Sequence, residues 1–214
     1  MALDLVVFDC DGVLLETVEV KTRAFGRTVE EFGPQAVQRL LDYHMAHGGV
    51  SRYKKFEWFY AEVLGRTITD KEMQDLGERF TKFAFEEVVA APAVDGALET
   101  IQALYGKVPM YVASGAPHDE LTYVLEAKGL TGYFQGIFGS PPHKTALLAD
   151  ILRHTGADPQ KTVMVGDSST DLEAATACGT RYFGRGSSFA TSGHPWAEDL
   201  HPLKEHLLRL LAEV

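Results

Sequence analysis

Two hydrophobic patterns share this chain. Short, nearly unbroken apolar runs recur at Val6–Phe8, Val108–Ala113 and Thr162–Val165, with shorter ones at Gly136–Gly139 and Arg181–Phe183. Short apolar runs with no polar alternation are the signature of parallel strands buried on both faces. Between them lie segments with helical spacing and helical start and stop residues: Asp95-Gly96 leading to Tyr105, Pro117 to Gly129, His143 to Thr155, Asp171 to Cys178, and a terminal stretch Leu203 to Leu211. Ser187 to Trp196 reads as loop. Strands alternating with helices predict a parallel sheet covered on both faces.

Residues 17–90 break this alternation. Glu16–Phe32 carries a loose helical stripe, Val20, Ala24, Val29 and Phe32, that Gly26 is expected to interrupt. Pro34 suits the first turn of a helix reaching Ala46. Ser51 can cap a third helix through Leu64, rich in Phe56, Trp58, Phe59 and Tyr60, and Thr69-Asp70 opens a fourth to Val89. Ala90-Ala91-Pro92-Ala93 is a boundary-like segment, after which the strand–helix alternation resumes. The predicted architecture is α/β, with a Rossmann-like, doubly wound parallel core formed by residues 1–16 and 91–214 and a helical-bundle cap inserted at residues 17–90.

A chain of 214 residues can bury a full core. The formal charge of −10, with no basic block, argues against a nucleic-acid or anionic-membrane partner and requires any phosphate site to carry its own local positive charge. Two cysteines, Cys10 and Cys178, make no disulfide framework, and Cys10 is expected to point into the sheet. Asp4 and Asp9 bracket the first apolar run, which is too short for a signal peptide, and no later run reaches membrane-spanning length, so a cytoplasmic location is the expectation.

The strand ends carry the candidate chemistry. Asp9 and Asp11 follow the first strand, one residue apart, so both face one point in space. Clustered carboxylates call for a cation or a shared proton, and a hard, oxygen-seeking ion such as Mg²⁺ fits. Ser114-Gly115, before a helix start, offers a hydroxyl and backbone N–H groups of the kind that hold phosphate oxygens. Lys144 opens a helix, electrostatically the wrong end for a cation, and therefore wants an anionic neighbour. Asp167 mirrors Asp9 at a third strand end, with Asp171 close behind.

The order FDCDGVL, VASG, HK and VGDSSTD, with a helical insertion after the first motif, resembles the haloacid dehalogenase superfamily, specifically its phosphatases with a small helical cap. The resemblance spans nearly the whole chain. It implies that Asp9 is a nucleophile forming an aspartyl-phosphate, and that Asp11 is the acid that protonates the leaving alcohol and then the base that activates water. It further implies Mg²⁺ held by Asp9, the Asp11 carbonyl and Asp167, with Asp171 acting through water or on Lys144, and phosphoryl oxygens held by Ser114, Gly115 and Lys144. Retention of Asp11 argues against dehalogenation, because a halide leaves without a proton. The expected function is Mg²⁺-dependent hydrolysis of a small phosphorylated metabolite, resembling phosphoglycolate or a sugar phosphate.

In the cap, the turn Gly48-Gly49-Val50-Ser51-Arg52 is the expected substrate contact, with Gly49, Ser51 and Arg52 as specificity residues and Arg52 gripping a second anionic or polyol group. Lys54 and Lys55 are expected to be solvated, and His44 and His47 to be polar cap residues or substrate contacts rather than metal ligands. Gly-Val-Ser-Arg resembles the substrate-binding turn of β-phosphoglucomutases, which makes a phosphosugar mutase the alternative; Lys21, where that group tends to have histidine, and Gly166, where it tends to have an acid, depart from it. A non-catalytic binding module would be expected to have lost one of the core residues, and none is missing.

Overall fold

The computed structural model describes residues 3–213. Six strands, β1 (Leu5–Phe8), β2 (Met110–Pro117), β3 (Gly136–Ser140), β4 (Thr162–Gly166), β5 (Arg181–Arg185) and β6 (Trp196–Ala197), form one sheet in the order β3-β2-β1-β4-β5-β6. Every neighbouring pair is parallel. Leu5, Val6, Val7 and Phe8 are all fully buried, with Val6 and Phe8 in the core on one face and Leu5 and Val7 in the core on the other, which is why β1 reads as an unbroken apolar run. The chain builds outward from β1 to β2 and β3, then crosses to β4 on its other side. That reversal makes the crevice beyond the carboxyl ends of β1 and β4 the favoured ligand position.

The helices α1 (Val18–Thr28), α2 (Pro34–Ala46), α3 (Arg52–Trp58) and α4 (Asp70–Ala90) lie between β1 and β2 in sequence, and α5 (Ala97–Leu104), α6 (His118–Ala127), α7 (Lys144–Thr155), α8 (Ser169–Cys178) and α9 (His201–Ala212) follow. Gly26 sits inside α1 rather than breaking it, because α1 continues to Thr28 and a turn of 3₁₀-helix over Glu30–Phe32 finishes the stripe. A π-helical turn, Phe59–Val63, extends α3. Thr69 and Glu72 close a reciprocal capping box that fixes the start of α4. Phe25, Phe56 and Phe80 interlock at centroid distances of 4.6 Å for Phe25–Phe80 and 5.7 Å for Phe25–Phe56, forming the aromatic centre of these four helices.

The two chain crossings into and out of the α1–α4 segment lie side by side. Glu16 N–H donates to the Pro92 carbonyl (2.9 Å), Val94 N–H donates to the Leu14 carbonyl (3.0 Å), and Leu15 bridges Ala93. Several boundaries differ from the sequence reading by a few residues, α9 for instance starting at His201 rather than Leu203. β2 runs past Ala113 to Pro117, α8 begins at Ser169 rather than Asp171, and the predicted loop at 187–196 contains a 3₁₀ turn and ends in β6, whose two residues are too few to announce a strand. Among the described residues no helix is long and apolar enough to cross a membrane.

Candidate active site

Asp9 leaves β1 with its N–H still donating to the Val165 carbonyl (2.9 Å), so the strand ladder itself sets its position. Its side chain is 2% exposed, and one carboxylate oxygen accepts from the Cys10 N–H at 2.7 Å. Lys144, the first residue of α7, places its ammonium 2.9 Å from Asp9 and 2.5 Å from Asp171. The cation at the unfavourable helix end thus finds two anions, and they hold its pKa above the ordinary lysine value despite burial. Asp171 Oδ2 accepts from the Ser168 hydroxyl (2.5 Å) and N–H (3.2 Å), closing the α8 capping box, so both its oxygens are engaged.

The donor oxygens of Asp9, Asp167 and Asp171 all lie within 4.8 Å of one another. Three carboxylates against one lysine leave net negative charge in a buried space. Burial, reinforced by repulsion from Asp171 and Asp11 and only partly offset by Lys144, pushes the Asp9 carboxyl up to about 7. Burial and repulsion from Asp9 and Asp171 push Asp167 up to about 8. An all-oxygen, negatively charged set of this kind fits a hard divalent cation. The wall beside it has room for nothing larger than glycine: a Cβ on Gly12, whose φ is +70°, would sit 2.0 Å from Asp167 Oδ2.

Because both carboxyls titrate higher folded than unfolded, the folded metal-free protein binds more protons than the unfolded chain, and its stability falls as pH rises between about 4 and 8. Binding a divalent cation to the ionised carboxylates removes that loss. Thermal melts in chelator should therefore drop in Tm across this range, while melts in excess Mg²⁺ should stay nearly flat; parallel curves would show that the cluster takes no cation.

Asp11 is not one of the three clustered carboxylates, although it lines the same cavity. It accepts from the Thr17 hydroxyl at 2.6 Å and from the Lys21 ammonium at 2.5 Å. Burial alone would raise its pKa, but the Lys21 charge, with the Lys21 and Thr17 hydrogen bonds, outweighs burial and holds the carboxyl below its usual range. Arg185 braces the loop between them, donating to the Gly12 carbonyl at 2.9 Å and pairing with Glu16 at 2.6 Å.

A cavity of about 590 Å³ opens over these groups; Asp9, Asp11 and Asp167 line it, and Lys144, Asp171 and Ser114 do not, standing behind its wall. Ser114 is fully buried, its hydroxyl accepting from the Ala116 N–H at 3.2 Å, whereas Gly115 faces the cavity. The Gly48-Gly49 turn closes over the opposite side. The Thr170 hydroxyl donates to the Gly48 carbonyl (3.0 Å), and a Cβ on Gly115 would lie 2.0 Å from the Gly49 carbonyl oxygen, so the two turns meet backbone to backbone. At Gly166 a Cβ would fall 2.1 Å from the Asp171 Cβ, which explains why no acid occupies that position.

The remaining cap residues are placed differently from their sequence reading. Ser51 caps α3, accepting from the Lys54 N–H. Arg52 is 6% exposed; it lines the cavity but pairs with Glu120 of α6, donates to the Thr81 hydroxyl at 2.8 Å and lies over the Phe80 ring. Lys54 is exposed as expected, but Lys55 is not solvated: it is 2% exposed, lines the cavity and donates to His44 Nδ1 at 2.7 Å. The sequence signal for this was phase. Arg52, Lys55, Phe56 and Phe59 share one helical face, so Lys55 travels with the buried side rather than with Lys54.

Residues 3–179 match the family model described as haloacid dehalogenase-like hydrolase. The chain is 27% identical over 190 residues to the phosphoglycolate phosphatase of Aquifex aeolicus, covering 83% of this chain and 82% of that one. It is 27% identical over 192 residues to the phosphorylated carbohydrates phosphatase of Thermotoga maritima, covering 83% and 82%. Among solved structures it is similar in fold to β-phosphoglucomutase from Clostridium difficile, with a TM-score of 0.81 at 15% identity over 99% of this chain and 98% of that one.

Proposed function

This chain belongs to the haloacid dehalogenase-like hydrolase family, and on that premise we propose that it is a Mg²⁺-dependent phosphatase that hydrolyses a small phosphorylated metabolite through an aspartyl-phosphate. The observation that carries the reading is the junction of Asp9 with Lys144 and Asp167 at the wall of a cavity that Asp11 also lines. The names of the sequence relatives, phosphoglycolate phosphatase and phosphorylated carbohydrates phosphatase, support a small phosphate monoester as substrate. In this reading residues 17–90 act as a cap over a core of residues 1–16 and 91–214, and cap closure excludes water.

An Asp9 carboxylate oxygen attacks phosphorus. The ester P–O bond breaks, and the leaving alkoxide takes a proton from Asp11. Asp11, now ionised, accepts a proton from water as that water attacks phosphorus; the P–O bond to Asp9 breaks, and free phosphate and the original carboxylate result. Such acid–base assistance supplies about 10²- to 10⁴-fold. Asp11 rests ionised on Lys21 and Thr17; an incoming phosphate competes for the Lys21 charge and raises the Asp11 pKa, so that Asp11 takes up from solvent the proton it then gives to the leaving oxygen, and it releases to solvent the proton gained from water when phosphate departs. Gly115 presents backbone N–H to phosphoryl oxygens, Ser114 supports that turn from behind, and Lys144 holds Asp9 and Asp171 in register. Asp9, Asp167 and the Asp11 carbonyl would hold Mg²⁺, which, when bound, lessens the repulsion between carboxylate and phosphate.

Phosphate release from para-nitrophenyl phosphate, 2-phosphoglycolate and hexose monophosphates, measured with Mg²⁺ and with chelator, tests the proposal. Release that requires Mg²⁺ is expected. No release from any ester overturns it, and isomerisation of a sugar phosphate that depends on a bisphosphate, without net phosphate release, replaces it with the mutase reading.

A further inference from the structure

Three cationic side chains line the cavity, and two are already matched: Lys21 with Asp11 and Arg52 with Glu120. Lys55 is the third. It pairs with no carboxylate among the described residues, and its hydrogen-bonding partner is a histidine ring nitrogen. A buried ammonium with one acceptor for three N–H groups leaves donors unfilled, a costly arrangement unless something else enters to fill them.

The donors around it run in one direction. Lys55 donates to His44 Nδ1 at 2.7 Å, which leaves Nε2 carrying the ring proton toward the Thr22 hydroxyl at 3.0 Å, and Thr22 donates to the Val18 carbonyl at 2.8 Å. Burial and the nearby Lys55 charge keep His44 neutral, so it acts as an acceptor. The chain therefore aims Lys55 while consuming only one of its protons. The Phe25 ring, 5.3 Å from the ammonium, forms an apolar flank that shields it from water.

We propose that Lys55, positioned by His44 and Thr22 in the cavity that Asp9 also lines, is a specificity residue that binds a carboxylate at the non-reacting end of a substrate whose phosphoryl group is held at Asp9. The inference rests on the phosphatase reading and narrows it to phosphate monoesters of short hydroxy acids. A singly charged group suits one ammonium with two free N–H donors; a second phosphate, with more charge and more acceptors, would leave oxygens unpaired in the same space. Burial, with the charge of Lys21 beside it, brings the Lys55 pKa down to about 7, and a bound carboxylate would restore its full charge.

The test compares 2-phosphoglycolate with two matched probes, 2-hydroxyethyl phosphate and ethylene glycol bisphosphate, in the wild type, Lys55→Met and Lys55→Arg. The wild type should favour 2-phosphoglycolate in kcat/KM. Lys55→Met should collapse that ratio to 2-hydroxyethyl phosphate by about 30-fold, the size of a lost charge-assisted hydrogen bond, chiefly through KM. Lys55→Arg should recover part of it. A purely structural role would lower both esters together and leave the ratio intact, and that result overturns the proposal, as does wild-type preference for the bisphosphate or the neutral ester. If no ester is hydrolysed, the phosphatase reading fails separately. Calorimetric binding of 2-phosphoglycolate against 2-hydroxyethyl phosphate then decides for Lys55: discrimination that Lys55→Met abolishes upholds the assignment, and its absence in the wild type sinks it.

Discussion

Asp9→Asn will lower phosphate release by about 10⁴-fold or more, the loss typical of removing a covalent nucleophile. The substitution keeps shape and volume, so the defect is chemical rather than steric. The amide nitrogen and oxygen replace the carboxylate that would attack phosphorus and take part in cation binding. The same change should leave the metal-free protein at least as stable as the wild type, because it removes one of three crowded carboxylates while Lys144 keeps Asp171 at 2.5 Å. The two readouts separate the explanations. A variant with full Tm and no turnover places Asp9 in the reaction, whereas a variant that loses both in proportion shows only that Asp9 supports the fold. Retained turnover would show that another group attacks phosphorus.

Lys144→Met carries the second large effect, and here stability moves most. Lys144 is 5% exposed, and its ammonium stands between Asp9 and Asp171, which are 2% and 0% exposed. Removing it leaves two buried carboxylates with no opposite charge, and breaking a buried pair in this way costs about 3–5 kcal/mol. The penalty depends on ionisation, so it should be worst at alkaline pH and shrink as the carboxyls protonate at acid pH. Urea denaturation at both extremes measures it directly. The same stability at both, or no change from the wild type, would mean that Lys144 does not neutralise the cluster. Excess Mg²⁺ should recover part of the lost stability, since a divalent cation and an ammonium answer the same excess of negative charge.

The core was legible in the sequence because its signals are local. A buried parallel strand has to be apolar on both faces, so β1 and β4 announce themselves, and the acids that follow them stand where a doubly wound sheet leaves a crevice. The misplaced charge of Lys144 pointed to an anionic partner, and Asp9 and Asp171 supply it. The helical segment was less legible where partners are distant in sequence. Arg52 read as a free grip for substrate because nothing nearby in sequence reveals Glu120, which is 68 residues away and holds it. Lys55 read as solvated because adjacent lysines look like one charged patch, although a helix turns about 100° between them and puts one inside. Gly26 read as a breaker because glycine is a poor helix former, but the penalty is only about 1 kcal/mol, an amount that packing of α1 against α2 and α4 overrides. The Asp11–Lys21 pair was visible only as a departure from a related group; its meaning, a carboxylate held ionised at rest, needed the 2.5 Å contact.

The central step is formation of one bond, between an Asp9 oxygen and phosphorus. The protein should be mixed with a good phosphate ester and Mg²⁺, quenched in acid within one turnover, reduced with borohydride, and its peptides analysed by mass spectrometry. Reduction of one carboxyl, at Asp9, dependent on substrate and absent from Asp9→Asn, is the expected result. Reduction at another residue, or turnover with no modified carboxyl at any time point, would contradict it.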